Sequence, residues 1–176
     1  MQEWDRTNEA PLHSMLAEAA DHGLLGITIP VEYGGLGLFA IDYALAVEEI
    51  CRVSHSWLPA EVIFRTSGPG PNIILGAAEE RCRQKFLPDI VGGRRTCAIA
   101  LTEPDHGTAM TDLETTAVDD GDVYILNGKK RYVTGCPEDD LYTVFVRFRD
   151  TPGAAGVGAI VVEKGMPGLT AEPGRR

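Results

Sequence analysis

Gly92-Gly93-Arg94-Arg95-Thr96-Cys97-Ala98-Ile99-Ala100-Leu101 is the stretch at which the chain changes character. Two glycines interrupt a helical pattern and a β-prone run follows, so the hydrophobic period passes from about 3.6 to about 2 near residue 94. Beyond that point lie short β-rich runs at 96–101, 113–118, 123–126, 131–134, 141–148 and 157–163, rich in Val, Ile, Tyr, Phe and Thr. Asp119-Asp120-Gly121-Asp122 and Asn127-Gly128 are turn signals, the second of the kind that closes a hairpin. Short strands at such regular spacing predict an antiparallel barrel or sandwich.

Upstream of the glycines the pattern is helical. Leu12, Met15, Leu16, Ala19 and Ala20 fall on one stripe of a helix over 11–22, with Pro11 in its first turn and Gly23 at C′. Residues 24–30, Leu-Leu-Gly-Ile-Thr-Ile-Pro, are a short apolar run that fits either a buried strand or a packed connection. A loop over 31–37 leads into a helix at 41–52, a third helical stretch lies near 58–65, and a fourth spans 78–86, with Pro88 expected to end it at about Leu87. The fold class is therefore α+β: an N-terminal helical domain, 1–93, followed by a β domain, 94–176, that forms an incomplete antiparallel barrel or sandwich.

The 176 residues, 44% of them hydrophobic, can build real cores, and a net charge of -10 argues against a nucleic-acid binder, which gathers a basic face. The four cysteines include no C-x-x-C pair, so neither a zinc knuckle nor a dithiol motif is indicated and buried free thiols are expected. No apolar run approaches the roughly 18–20 residues of a membrane span, and the Met1–Asp5 start lacks a signal pattern. The expectation is an acidic cytoplasmic protein.

Gly35-Leu36-Gly37-Leu38-Phe39-Ala40 satisfies G-x-G-x-x-A before a helix, as a dinucleotide site would, but no strand runs into the glycines, which favours a structural loop. Ala98 to Thr108 is an apolar strand ending in a polar turn, Thr102-Glu103-Pro104-Asp105-His106-Gly107-Thr108. Its N–H and hydroxyl groups suit a phosphate or planar polar ligand, or else simply a bend capped by Thr102. In Lys129-Lys130-Arg131-Tyr132-Val133-Thr134-Gly135, strand alternation puts Tyr132 and Thr134 on one face, able to stack on a flat heterocycle or to pack within a sheet. His55 and Ser56 fit a helix terminus better than a catalytic dyad, and Glu48-Glu49 a solvated helix face.

Four segments, in order, resemble the acyl-CoA dehydrogenase family: 23–37 its stretch before the second long helix, 86–93 its linker into the β domain, Thr102-Glu103-Pro104-x-x-Gly107-Thr108 its flavin-binding turn, and Tyr132-Val133-Thr134 its second flavin-contacting strand. The resemblance implies an FAD-dependent oxidoreductase of fatty acid metabolism that desaturates an acyl-CoA thioester. An α-proton leaves to a glutamate while the β-hydride moves to flavin N5, and electrons then pass to an electron-transfer flavoprotein. It further implies that Ile99, Leu101, Thr102, Gly107, Thr108, Tyr132, Val133 and Thr134 bind FAD. Within that set Thr102 bonds the ring edge, Thr134 bonds N5, Tyr132 packs on the ring, and Thr108 also meets the acyl-CoA. No metal is implied, and the full-length form is expected to be a homo-oligomer.

The sequence departs from the family in places. Tyr132 replaces a usual tryptophan, Asp105 and His106 replace small residues, and Thr108-Ala109 stands where Ser-Asp is common. The chain reads as truncated, without the C-terminal helical domain that carries the family's glutamate base, so no residue here is assigned as catalytic and turnover by this chain alone is not expected. The alternatives are a non-catalytic assembly module of a split complex, a related flavin oxidase or monooxygenase, and, on Gly35–Ala40 alone, a nicotinamide-dependent enzyme.

Overall fold

The computed structural model describes residues 11–148 and 151–172, so both chain ends, on which the leader and truncation expectations rest, lie outside the described residues. The chain divides into two compact units, Met1–Cys97 and Ala98–Arg176.

The first unit is helical: α1 Leu12–Asp21, α2 Ala40–Ser54, α3 Leu58–Ser67, α4 Pro69–Ala77 and α5 Glu80–Val91. The stripe on α1 buries Leu16, which packs with Leu25 and Val62, while Gly23 adopts a φ of +65°. The 24–30 run is a packed connection, not a strand. It buries Ile27 and Ile29 and satisfies its polar groups against α3: the Ile27 N–H donates to Ser67 Oγ at 2.9 Å and Thr28 Oγ1 to the Ser67 carbonyl at 3.0 Å. His55 is the C-cap of α2, its N–H donating to Cys51 O at 3.0 Å.

One helix lies where the sequence reading assigned no element, and another runs past its expected end. α4 begins inside Gly68-Pro69-Gly70-Pro71, a string of breakers; both prolines fall in the first turn, where no intrahelical N–H donor is required. α5 runs through Pro88 to Val91 instead of ending at Leu87. One lost N–H is outweighed by the buried face of Phe86, Leu87, Ile90 and Val91.

The second unit is an open sheet of β1 Cys97–Ala100, β2 Thr116–Asp120, β3 Val123–Asn127, β4 Leu141–Phe148 and β5 Val157–Glu163, ordered β1-β4-β2-β3 with β5 also on β4. β2–β3 and β4–β5 pair antiparallel, whereas β2–β4 pair in parallel over Thr116↔Arg147 and Ala117↔Phe148, so the sheet is mixed and not closed. Ala98, Tyr142 and Val162 form its buried core, with Leu126, Val133, Val144 and Ile160 packed on them. The antiparallel pairs overturn the Rossmann reading. The β2–β3 hairpin turns on Gly121-Asp122, with Asp120 paired to Val123, and Asn127-Gly128 instead ends β3 without a returning strand.

Among the described residues no helix is long and apolar enough to cross a membrane, no group of three or more His, Cys, Asp or Glu could hold a metal ion, and the four cysteines form no disulfide; only Cys97 is buried, whereas Cys51, Cys82 and Cys136 are half-buried, against the expectation of buried thiols.

Candidate functional site

β1 delivers the chain into the polar turn, and the first charged side chain of that turn points inward. The Glu103 carboxylate, 4% exposed, accepts from the N–H groups of Glu114 at 2.7 Å and Thr115 at 2.9 Å and from Lys130 Nζ at 2.7 Å. Lys130 Nζ donates also to the Leu101 carbonyl at 3.0 Å, and the Arg131 N–H donates to the Thr102 carbonyl at 2.8 Å. The two segments singled out in the sequence, joined through residues 27 and 29 positions apart, are thus tied side by side.

The electrostatics of this tie are lopsided. Burial raises the Glu103 carboxyl, but the Lys130 ammonium and the Thr115 and Glu114 donors more than offset it and hold the pKa down to about 2. Burial pushes the Lys130 pKa below its ordinary value, and Glu103 pulls it back only in part. The carboxylate, with more donors around it, is the better satisfied partner.

Residues 131–134 form no strand. Tyr132 has a φ of +57°, a left-handed conformation uncommon for a bulky residue; the residue is 79% exposed and the Arg131 guanidinium lies 4.3 Å from its ring centroid. The anchoring of Lys130 and Arg131 to the 101–103 backbone bends the segment, so the β-prone composition is overridden and alternation no longer sets where Tyr132 and Thr134 face. An exposed aromatic on strained backbone is a common mark of a binding surface.

The remaining predicted residues lie around this tie. Ile99 is in β1, half-buried; Leu101 and Thr102 are half-buried at its end; Gly107, Thr108 and Thr134 are exposed, and Val133 is half-buried against the sheet core. His106 Nε2 approaches Glu114 Oε1 at 3.3 Å. At Gly107 an added Cβ would meet nothing within 4 Å, and the backbone there has no positive φ. The chain's own packing therefore does not require a glycine at 107, and the space beside it is open to a ligand.

A cavity of about 930 Å³ lies on the inner face of the same unit, lined by Ala100, Leu126, Tyr142, Val144 and Val162 among others. Of the predicted site residues only Val133 lines it, but Pro104 of the turn and Lys130 of the tie border it as well, so the cavity adjoins the Thr102–Tyr132 surface. Tyr142 is buried there, its hydroxyl without a hydrogen-bond partner, and burial together with Cys136 and nearby carboxylates pushes its pKa up to about 12.

Sequence reading missed Glu103 and Lys130 as functional positions. A Lys-Lys-Arg run and a lone Glu beside a proline look like solvated loop charges, and no periodicity marks which of three basic residues turns inward.

The chain matches the family models described as acyl-CoA dehydrogenase, N-terminal domain, over residues 1–94, and acyl-CoA dehydrogenase, middle domain, over residues 98–176. It is 34% identical to an acyl-CoA dehydrogenase of Bacillus subtilis over 94% of this chain and 43% of that protein. Among solved structures it resembles an acyl-CoA dehydrogenase from Geobacillus kaustophilus, with a TM-score of 0.82 and 31% identity over 96% of this chain and 44% of that one. It also resembles an acyl-CoA dehydrogenase complexed with FAD from Bacillus anthracis, with a TM-score of 0.80 and 31% identity over 99% of this chain and 29% of that one. The chain spans less than half the length of these relatives.

Proposed function

Because the chain belongs to the acyl-CoA dehydrogenase family, with its N-terminal and middle domains, we propose that it is the flavin-facing part of an enzyme that α,β-dehydrogenates an acyl-CoA thioester. The observation that carries this reading is the Glu103–Lys130 tie, which holds the 101–108 turn against the segment that presents Tyr132. Ile99, Leu101, Thr102, Gly107, Thr108, Tyr132, Val133 and Thr134 would hold FAD. The open space at Gly107 and the exposed Tyr132 ring fit a flat, phosphate-bearing group.

Bound FAD supplies a two-electron acceptor for the substrate β-hydride. The chain's own residues bind and orient: the Thr102, Thr108 and Thr134 hydroxyls and the turn N–H groups offer hydrogen bonds, Tyr132 offers a ring face, and Thr108 also reaches the acyl-CoA. Glu103 is not the base that takes the α-proton, since its carboxylate is buried and committed to Lys130. The same reading makes an electron-transfer flavoprotein the electron acceptor, fatty acid metabolism the context, the cytoplasm the location, and a homo-oligomer the full-length form.

Titration of the protein with FAD, followed by gel filtration and flavin absorbance, tests the reading. Flavin is expected to co-elute. Gly107→Ala is expected to leave the unfolding midpoint unchanged while weakening FAD binding about tenfold, because a methyl group occupies space that the fold leaves open and the ligand needs. If neither the chain nor a longer chain continued to a relative's full length takes up flavin, the assignment fails.

A second reading, an assembly module of a split enzyme, is favoured by α2, which buries none of its residues and exposes Ile41, Leu45 and Val53. Flavin uptake that requires a separately supplied helical half would support it; uptake by the chain alone counts against it.

A further inference from the structure

We infer that Arg147 is a positioning residue for the flavin-facing turn: its guanidinium holds the returning limb of the loop that carries Gly107 and Thr108, and so sets how tightly that loop takes its ligand. The inference rests on the flavin reading above. Arg147 lies in β4 between two partners, opposite Thr116 of β2 and Val157 of β5, so its backbone is held from both sides. From that fixed point the half-buried side chain reaches four backbone carbonyls. Nε donates to that of Leu113 at 3.0 Å, Nη1 to those of Thr151 at 2.5 Å and Gly153 at 3.2 Å, and Nη2 to that of Thr111. Its own N–H donates to the Thr115 carbonyl at 2.7 Å.

Among the described residues no carboxylate pairs with this cation. A guanidinium aimed wholly at backbone neutralises no acid; it holds chain. Its planar fork of donors suits several carbonyls at once, whereas the donors of an ammonium radiate from a single point.

Glu103 grips the same stretch in the opposite sense, its carboxylate accepting from the N–H groups of Glu114 and Thr115. The carboxylate thus takes donors of the limb, and Arg147 takes its acceptors at 111, 113 and 115. Leu113, between the two grips, is buried. The tip at 107–110 is exposed, and there the Met110 N–H donates to the Thr108 carbonyl at 2.9 Å. A tip with so little packing takes its position from its limbs. Because an ordered limb leaves less chain entropy to lose on binding, Arg147 contributes to affinity through the loop, its own donors being committed to the chain.

FAD titration of the whole chain, followed by flavin fluorescence with amide exchange on the same samples, tests it. Arg147→Lys keeps the charge and loses the fork. It is expected to raise the FAD dissociation constant roughly tenfold and to speed exchange at 108–112, while exchange in the helical unit stays as in the parent. Thr108→Val separates positioning from a general loss of stability: the double variant Thr108→Val/Arg147→Lys is expected to bind FAD no more weakly than the worse single variant, whereas a merely structural role makes the two losses add. Should Arg147→Lys fail to fold, the parent protein decides. Its Arg147 Nε–H is expected to exchange with solvent far more slowly than that of a free arginine and, by reciprocity, more slowly still when FAD is added. Unchanged FAD affinity in Arg147→Lys, additive losses, or an Nε–H indifferent to FAD overturns the inference and leaves the flavin reading standing. If neither the chain nor one continued to a relative's full length binds FAD, the flavin reading itself fails and the inference falls with it.

Discussion

Lys130→Met is expected to destabilise the protein by about 3–5 kcal/mol, because it leaves the Glu103 carboxylate buried without its cation. Methionine keeps the stem volume of lysine, so the loss reports charge and hydrogen bonding more than packing. The double variant Glu103→Gln/Lys130→Met removes both charges and is expected to recover much of the loss, since a buried pair replaced as a pair is often near neutral. Urea unfolding, read as a shift in midpoint at constant slope, measures all three forms. A loss below about 1 kcal/mol for the single variant would show that the pair is solvated and weak.

The same carboxylate gives the stability curve a defined acid limb. Its pKa is depressed from an ordinary 4.5 to about 2, so the folded state binds the proton less readily than the unfolded chain. The stabilisation is fully present above about pH 4.5 and is lost as pH falls towards 2. Glu103→Gln is expected to flatten that part of the curve relative to the parent protein. An unchanged slope between those limits would mean that other carboxylates set it.

What could be read from the sequence divides along physical lines. Helices whose apolar residues keep one stripe, such as Leu12–Asp21, were legible because burial of that stripe drives them. Strands β4 and β5 were legible because their runs are continuous and β-branched. Failures occur where a tertiary contact outvotes a local preference. Residues 131–134 have strand composition, yet an ammonium group anchored to Glu103 and Leu101 bends them. Gly68-Pro69-Gly70-Pro71 looks like a loop, yet a first helical turn needs none of the donors that proline lacks. The flavin-facing residues were found as segments, while the buried pair that joins those segments was not, because a charge shows its burial only in three dimensions.

Gly35→Ala is expected to cost about 3 kcal/mol or more, through overpacking against rigid backbone. Gly35 is buried, and a Cβ there would sit 2.0 Å from the Ile29 carbonyl oxygen and 2.7 Å from that of Gly26. Neither oxygen can swing aside like the end of a side chain. Both belong to the tight connection whose carbonyls accept from the N–H groups of residues 35–38: Gly35 to Pro30 at 3.1 Å, Leu36 to Gly26 at 3.1 Å, Gly37 to Ile29 at 2.8 Å and Leu38 to Ile27 at 2.9 Å. Moving the backbone to admit a methyl group would break several of these bonds in a buried segment, where each unmet group costs free energy. Those same bonds explain why the G-x-G-x-x-A pattern is not a dinucleotide site: the N–H groups that would cradle a pyrophosphate are already engaged within the connection. Gly37→Ala provides the contrast. Its φ is +65°, but the nearest atom to an added Cβ is a Val31 methyl at 3.5 Å, so only left-handed strain of about 1 kcal/mol is expected. Thermal and urea unfolding of the two variants should therefore separate widely, in the order Gly35 far worse than Gly37. Equal stabilities, or a Gly35→Ala protein as stable as its parent, would mean that the connection does not close on the Ile29 carbonyl.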